Sequence, residues 1–250
     1  MEEKTFGLVI FTLNEIEACR VIVPKSDTKS FRRVIFLDGG STDGTVEWAR
    51  ENGFEVVLQR EKGLRKGLFE AVHYLKDDVT HVLTISPDGN CDPATIPSVL
   101  EPFKNTDARI VIGSRYFGGG KSEDDDFITG FGNWLFTRMA QVLLGSKLTD
   151  VMVIYACWEI SLLFELGIDE DESYQPWERM FFTQLGWCQL LSFRVAKYEI
   201  PFADVWVGEP PRIGGQRKLQ IWRWGAATLG QLLRETWYTP KSLNRRKSMN

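Results

Sequence analysis

The chain has 250 residues, of which 43% are hydrophobic, and a formal net charge of −4. That is enough apolar material to bury one sizeable core, and no apolar run approaches the roughly 20 residues a bilayer-spanning helix needs. The start "MEEKTFGLVIF" lacks a basic segment followed by a long apolar one, so an unprocessed cytoplasmic protein is expected. Cys19, Cys91, Cys157 and Cys188 stand far apart without a CxxC pair, which argues against a zinc site or a disulfide framework and for reduced thiols.

In chain order, short β-rich runs "GLVIF", "RVIFL", "FEVVLQ", "THVLTI" and "RIVIG" alternate with helical stretches such as "GTVEWAREN", "KGLFEAVHYLK" and "PATIPSVLEPFK". This rhythm predicts an α/β fold with a mostly parallel sheet flanked by helices. Ligands of such sheets lie beyond the carboxyl ends of the strands. Those ends carry "TLNE", "DGGSTDGT", "SPDGN" and "GSRY" here, four polar loops converging on one rim. In structural terms Ser41 or Asp43 suits the cap of the following helix, and Asp92 the cap before "PATIP". The acidic run Glu123 to Asp126 reads as a surface loop.

From Arg212 onward the balance changes. Arg212, Arg217, Lys218, Arg223, Arg234, Lys241, Arg245, Arg246 and Lys247 face Glu235 alone. A basic tail is a solvated end, a nucleic-acid patch or an anchor on anionic lipid, and no nucleic-acid motif accompanies this one. Within it Ile221, Gly225, Leu229, Leu232 and Leu233 fall at helical spacing with Trp222, Trp224 and Trp237 nearby. Such an amphipathic helix packs on its own domain or lies on a membrane surface.

The motifs "FTLNE", "LDGGSTDGT", "SPDGN", "GSRYFGGG" and "PPRIGGQRK" come in the order and approximate spacing of family 2 glycosyltransferases. The chain resembles the dolichol-phosphate mannose synthase-like group of that family over roughly residues 6 to 220. The resemblance implies a GT-A type, Rossmann-like domain over residues 1–218, with residues 219–250 as an amphipathic basic helix and tail. It also implies a UDP- or GDP-linked sugar donor lying across the strand ends.

For the donor, the resemblance places Thr12, Asn14 and Glu15 near the base and ribose and Asp38 on the nucleobase, while Gly39 stands where the family often has a second acid. The usual Asp-x-Asp is Ser86-Pro87-Asp88 here. Asp88 would hold Mg²⁺ or Mn²⁺ directly, Asn90 would add a carbonyl oxygen, and Ser86 offers only a neutral hydroxyl, so weaker metal binding is expected. Arg212 and Lys218 are offered to the diphosphate. Arg115 is either a phosphate or sugar contact or a structural ion pair.

On the acceptor side, Asp150 matches an acid that orients the sugar, although the Gly-Phe-Arg that usually follows is absent. Glu178 lies where many members place a general base, and it is equally well placed as a first-turn glutamate favoured by the helix dipole. A phosphate acceptor would meet acid at "EDDD", which points to a hydroxyl acceptor unless Arg138 or the basic tail substitutes. The expected function is therefore a metal-dependent inverting glycosyltransferase acting on a lipid-linked glycan, peripheral to the cytoplasmic membrane face. A polyprenyl-phosphate glycosyltransferase is the alternative, and a non-catalytic nucleotide-sugar-binding module the second. A nucleotidyltransferase is disfavoured because "FTLNE" lacks the glycines of its opening loop.

Overall fold

The computed structural model describes residues 3–213 and 221–247. In chain order the elements are β1 (Phe6–Thr12), α1 (Ile16–Ile22), β2 (Arg33–Asp38), α2 (Thr45–Glu51), β3 (Glu55–Leu58), α3 (Leu64–Leu75), β4 (His81–Ile85), α4 (Ile96–Leu100), α5 (Pro102–Asn105), β5 (Ile110–Ser114), α6 (Phe127–Leu144), β6 (Ala156–Glu159), α7 (Ser161–Glu165), α8 (Trp177–Phe181), α9 (Trp187–Lys197), β7 (Phe202–Trp206), α10 (Ile221–Glu235) and α11 (Lys241–Lys247). The seven strands form one sheet in the order β3-β2-β1-β4-β6-β5-β7. β1 pairs in parallel with β2 and β4, with Leu8 opposite Val34 on one side and Leu83 on the other. β6 is antiparallel to both β4 and β5, and β7 returns parallel to β5.

The central strands are apolar on both faces because both faces are covered. Every residue of β4 and β5 is buried. The amphipathic helix α3 supplies Leu68, Ala71, Val72 and Leu75 at helical spacing to the same core. All five predicted strands are present, and the expected mostly parallel sheet with flanking helices is borne out. β6 and β7 were not predicted.

Helix α10 packs against α6, α8 and α9. It buries Ala227, Thr228, Gln231, Leu232 and Glu235. The expected stripe is thus only partly the packed one, since Leu233 is exposed and Trp222 and Trp237 face outward. A fully buried ion pair fastens the helix, with Arg194 and Glu235 at 3.0 Å. Arg194 also donates to the carbonyls of Leu166 and Gly167. Removing either partner would strand a buried charge at a cost of about 3–5 kcal/mol.

Candidate active site

The carboxyl ends of β4, β5 and β7 open on one rim, and antiparallel β6 brings its amino-terminal approach, residues 152–155, to the same place. There a cavity of about 870 Å³ is lined by residues that follow these strands, together with the start of α3, α6, the turn after α8 and Trp224 of α10. Of the sequence-predicted residues, Asp88, Asn90, Arg115, Glu178 and Arg212 line it. Ser86 lines it as well.

Asp88 sits three residues beyond β4 and is 6% exposed. Its Oδ1 accepts from the Asn90 amide at 3.2 Å, and its Oδ2 lies 3.0 Å from Arg212 Nη1. The chain around Arg212 folds directly over this turn, because the Ile213 amide donates to the Asp88 carbonyl at 2.7 Å. Gly89 between them has φ +96°, and a Cβ there would come within 2.8 Å of Ile213 Cγ1. Only glycine fits both the backbone and the space. Asn90 donates from Nδ2 to Asp124 at 3.0 Å, which fixes the amide so that Oδ1 points the other way. That Oδ1 is buried and has no hydrogen-bond partner among the described residues.

An orphaned carbonyl oxygen beside a carboxylate is a donor set that suits a hard divalent cation. Among the described residues no three His, Cys, Asp or Glu side chains converge into a complete metal cage. The fit is to a cation that takes part of its coordination from a ligand, in line with the loss of a carboxylate at Ser86.

Arg115 follows β5 and is held from behind by Asp150, with Nε at 2.6 Å from Oδ2 and Nη2 at 3.0 Å from Oδ1. Asp150 is fully buried and outside the cavity lining, so it reaches the cavity through Arg115. Glu209 stands 3.5 Å from the other side of the guanidinium. These carboxylates hold the Arg115 guanidinium well above its ordinary pKa against the opposing effect of burial, while burial raises the carboxyl of Glu209. Arg115 is thus ion-paired to Asp150 and at the same time lines the cavity.

The acidic run is the expected surface loop, with Glu123 and Asp126 exposed, but Asp124 and Asp125 are half-buried. Asp124 and Asp125 line the cavity, and Asp126 turns away to cap α6 by accepting from Thr129 at 2.8 Å. Glu178, on the opposite wall, accepts from Arg65 Nη2 at 3.0 Å and from the Leu185 amide at 2.9 Å. Arg65 in turn reaches Asp171 at 2.8 Å and lies over the Tyr174 ring. Sequence reasoning missed Arg65, Asp124, Asp125 and Glu209, whose positions depend on how remote segments meet.

Thr12, Asn14, Glu15 and Asp38 form a second cluster, at the carboxyl ends of β1 and β2 and outside the large cavity. Asp38 is 1% exposed. It accepts from Thr12 Oγ1 at 2.8 Å, from the amides of Gly40 and Ser41 at 2.9 and 2.7 Å, and from Ser41 Oγ at 2.6 Å. Asn14, in the left-handed region at φ +58°, accepts from the Thr42 amide and donates its own amide to Ser41 Oγ. Asp43 accepts from Thr45 and from the amide of Ile16, and Glu15 donates its amide to Thr45 Oγ1. The first two strand-end loops are therefore one cross-linked platform. Lys218 lies outside the described residues.

Residues 9–157, more than half of the chain, match the family described as Glycosyl transferase family 2. An Undecaprenyl-phosphate mannosyltransferase of Micrococcus luteus is 28% identical over 245 residues, covering 90% of this chain and 96% of that protein. The Glycosyltransferase AglJ of Haloferax volcanii is 26% identical over 162 residues, 64% of this chain and 52% of that protein. Among solved structures, glucosyl-3-phosphoglycerate synthase from Mycobacterium tuberculosis, with Mn²⁺, uridine diphosphate and phosphoglyceric acid, superposes with a TM-score of 0.67. It is 17% identical, and the match covers 95% of this chain and 80% of the synthase. These likenesses establish the GT-A fold, and with the family match they show that this chain is a glycosyltransferase belonging to glycosyl transferase family 2.

Proposed function

We propose that the chain transfers a sugar, with inversion at the anomeric carbon, from a UDP- or GDP-linked donor to a lipid-linked glycan at the cytoplasmic face of a membrane. The observation that carries this reading is the turn after β4, where Asp88 and Asn90 line the cavity beside Arg212 and the buried Asn90 Oδ1 has no partner among the described residues. Mg²⁺ or Mn²⁺ held by Asp88 and Asn90 would supply neutralisation of the donor diphosphate. The mycobacterial synthase was crystallised with UDP and Mn²⁺ or Mg²⁺, and the Micrococcus relative is named for a lipid carrier, which agrees with both substrate classes. The platform of Thr12, Asn14, Glu15 and Asp38 would receive the base and ribose.

In the transfer, an acceptor oxygen bonds to the anomeric carbon as the bond to the diphosphate breaks, and the electron pair leaves with the nucleoside diphosphate. Arg212 and Lys218 neutralise that charge. Arg115, positioned by Asp150, faces the transferred group. For a hydroxyl acceptor, Glu178 takes the proton.

A second reading, direct glycosylation of a polyprenyl phosphate, is favoured by two observations. The Glu178 carboxylate is engaged by Arg65 and the Leu185 amide, and the match to the Undecaprenyl-phosphate mannosyltransferase spans nearly both chains. An ionised phosphate needs no base. Glu178→Gln is therefore expected to lower turnover roughly 10²–10⁴-fold with a hydroxyl acceptor and little with a phosphate acceptor. Circular dichroism and melting of the same variant separate lost chemistry from a loosened Arg65.

A further inference from the structure

Helix α6 is apolar on the side facing away from the protein. Its packed side carries Phe136, Thr137 and Ala140, and Thr129 and Asn133 line the large cavity. With 3.6 residues per turn, Phe127, Phe131, Trp134, Arg138 and Val142 form a separate stripe on the outer side. Phe127 is 89% exposed and Val142 82%, with Ile128, Phe131 and Trp134 about half exposed beside them. A surface helix ordinarily carries charged residues there. The only charge in this stripe is Arg138, whose guanidinium donates to the neutral Gln141 Oε1 at 3.0 Å. Asp124 and Asp125 turn into the large cavity and Asp126 caps the helix.

Beside the stripe lies a second cavity of about 360 Å³, whose lining includes Tyr116, Trp134, Thr137, Arg138 and Gln141. Thr137 is 7% exposed, yet its Oγ1 has no hydrogen-bond partner among the described residues. A buried hydroxyl left unpaired is unfavourable, so the cavity is suited to a ligand that carries a polar group to it.

We propose that α6 docks on an anionic bilayer. Phe127, Ile128, Phe131, Trp134 and Val142 enter the boundary between headgroups and acyl chains, and Arg138, Gln141 and Thr137 take one phospholipid phosphate in the smaller cavity. A single cation among aromatic side chains matches that boundary, where tryptophan is favoured and arginine reaches the phosphates. The same helix lines the reaction cavity, so docking sets its mouth beside the lipid surface. Only this last consequence rests on the lipid-linked acceptor.

Co-sedimentation of the full chain with phosphatidylcholine vesicles, with or without phosphatidylglycerol, tests the proposal without donor, acceptor or metal. The protein is expected to bind the phosphatidylglycerol vesicles, and Phe131→Ser to remove most of that binding. Arg138→Gln should lower it roughly fivefold on anionic vesicles and little on neutral ones. Thr137→Val should lower it too, without lowering the melting temperature, which a purely structural threonine would not do. A wild-type chain left in the supernatant overturns the proposal, as do Phe131→Ser and Arg138→Gln variants that bind like wild type. Loss in Phe131→Ser alone overturns the phosphate site. A chain that binds vesicles but transfers no sugar to lipid refutes the acceptor reading and leaves this one standing.

Discussion

Arg212 holds the carboxylate that a divalent cation is proposed to take. Its 3.0 Å pair with Asp88 and the Ile213 amide bond close that turn, so a cation held there would compete with the arginine for Asp88. Once displaced, Arg212 would be free to meet the diphosphate of a donor. Arg212→Ala is accordingly expected to bind Mn²⁺ alone severalfold more tightly and a nucleoside diphosphate roughly tenfold more weakly, which calorimetric titration would measure. Equal changes of one sign in both affinities would contradict the exchange. Asp88 and Asn90 were legible in the sequence because they lie within one short loop after an apolar run. The Asp124 that orients Asn90 and the Arg65 that engages Glu178 were not, since each meets its partner only after distant segments pack.

The same limit operates among the elements. The five predicted strands are continuous apolar runs in a β/α rhythm, and that rhythm is what the hydrophobic pattern encodes. β6 is four residues long and β7 is only half-buried, so neither announces itself. Yet their placement brings residues 152–155 and Glu209 to the cavity. β7 also carries Asp204, whose Oδ2 accepts from the Thr149 amide and hydroxyl at 2.7 Å, directly before Asp150. Burial, with a smaller contribution from the Asp150 charge, raises its carboxyl from 3.8 to about 6 against the Thr149 bonds. The folded value lies above the unfolded one, so the fold favours the neutral acid. That stability is full below 3.8 and is lost as pH rises through about 6, a difference of about 3 kcal/mol. Asp204→Asn keeps an acceptor for Thr149 without the charge. It is expected to raise the melting temperature by several degrees near pH 7.5 and to change it little near pH 4. An equal effect at both pH values would assign the gain to packing instead.

Across the molecule, one helix connects the two environments that the proposed reaction would join. α6 faces the large cavity with Thr129 and Asn133 and the exterior with its aromatic stripe, while α10 packs across α6, α8 and α9. The sequence placed the membrane question in the basic tail, because cations and tryptophans cluster there. The exposed stripe on α6 escaped notice because a run such as "FITGFGNWLF" reads equally as a helix facing the core, and only packing decides which side is covered. The turn at Asp88 is proposed as the donor centre of a lipid-directed glycosyltransferase. It is tested most directly by transfer of labelled sugar from UDP- and GDP-sugars to lipid-linked acceptors with Mn²⁺, comparing wild type with Asp88→Asn. Metal-dependent transfer by the wild type is expected, with a loss of roughly 10²-fold or more in a variant that melts normally. An Asp88→Asn chain with the wild-type rate and the same metal dependence would contradict it.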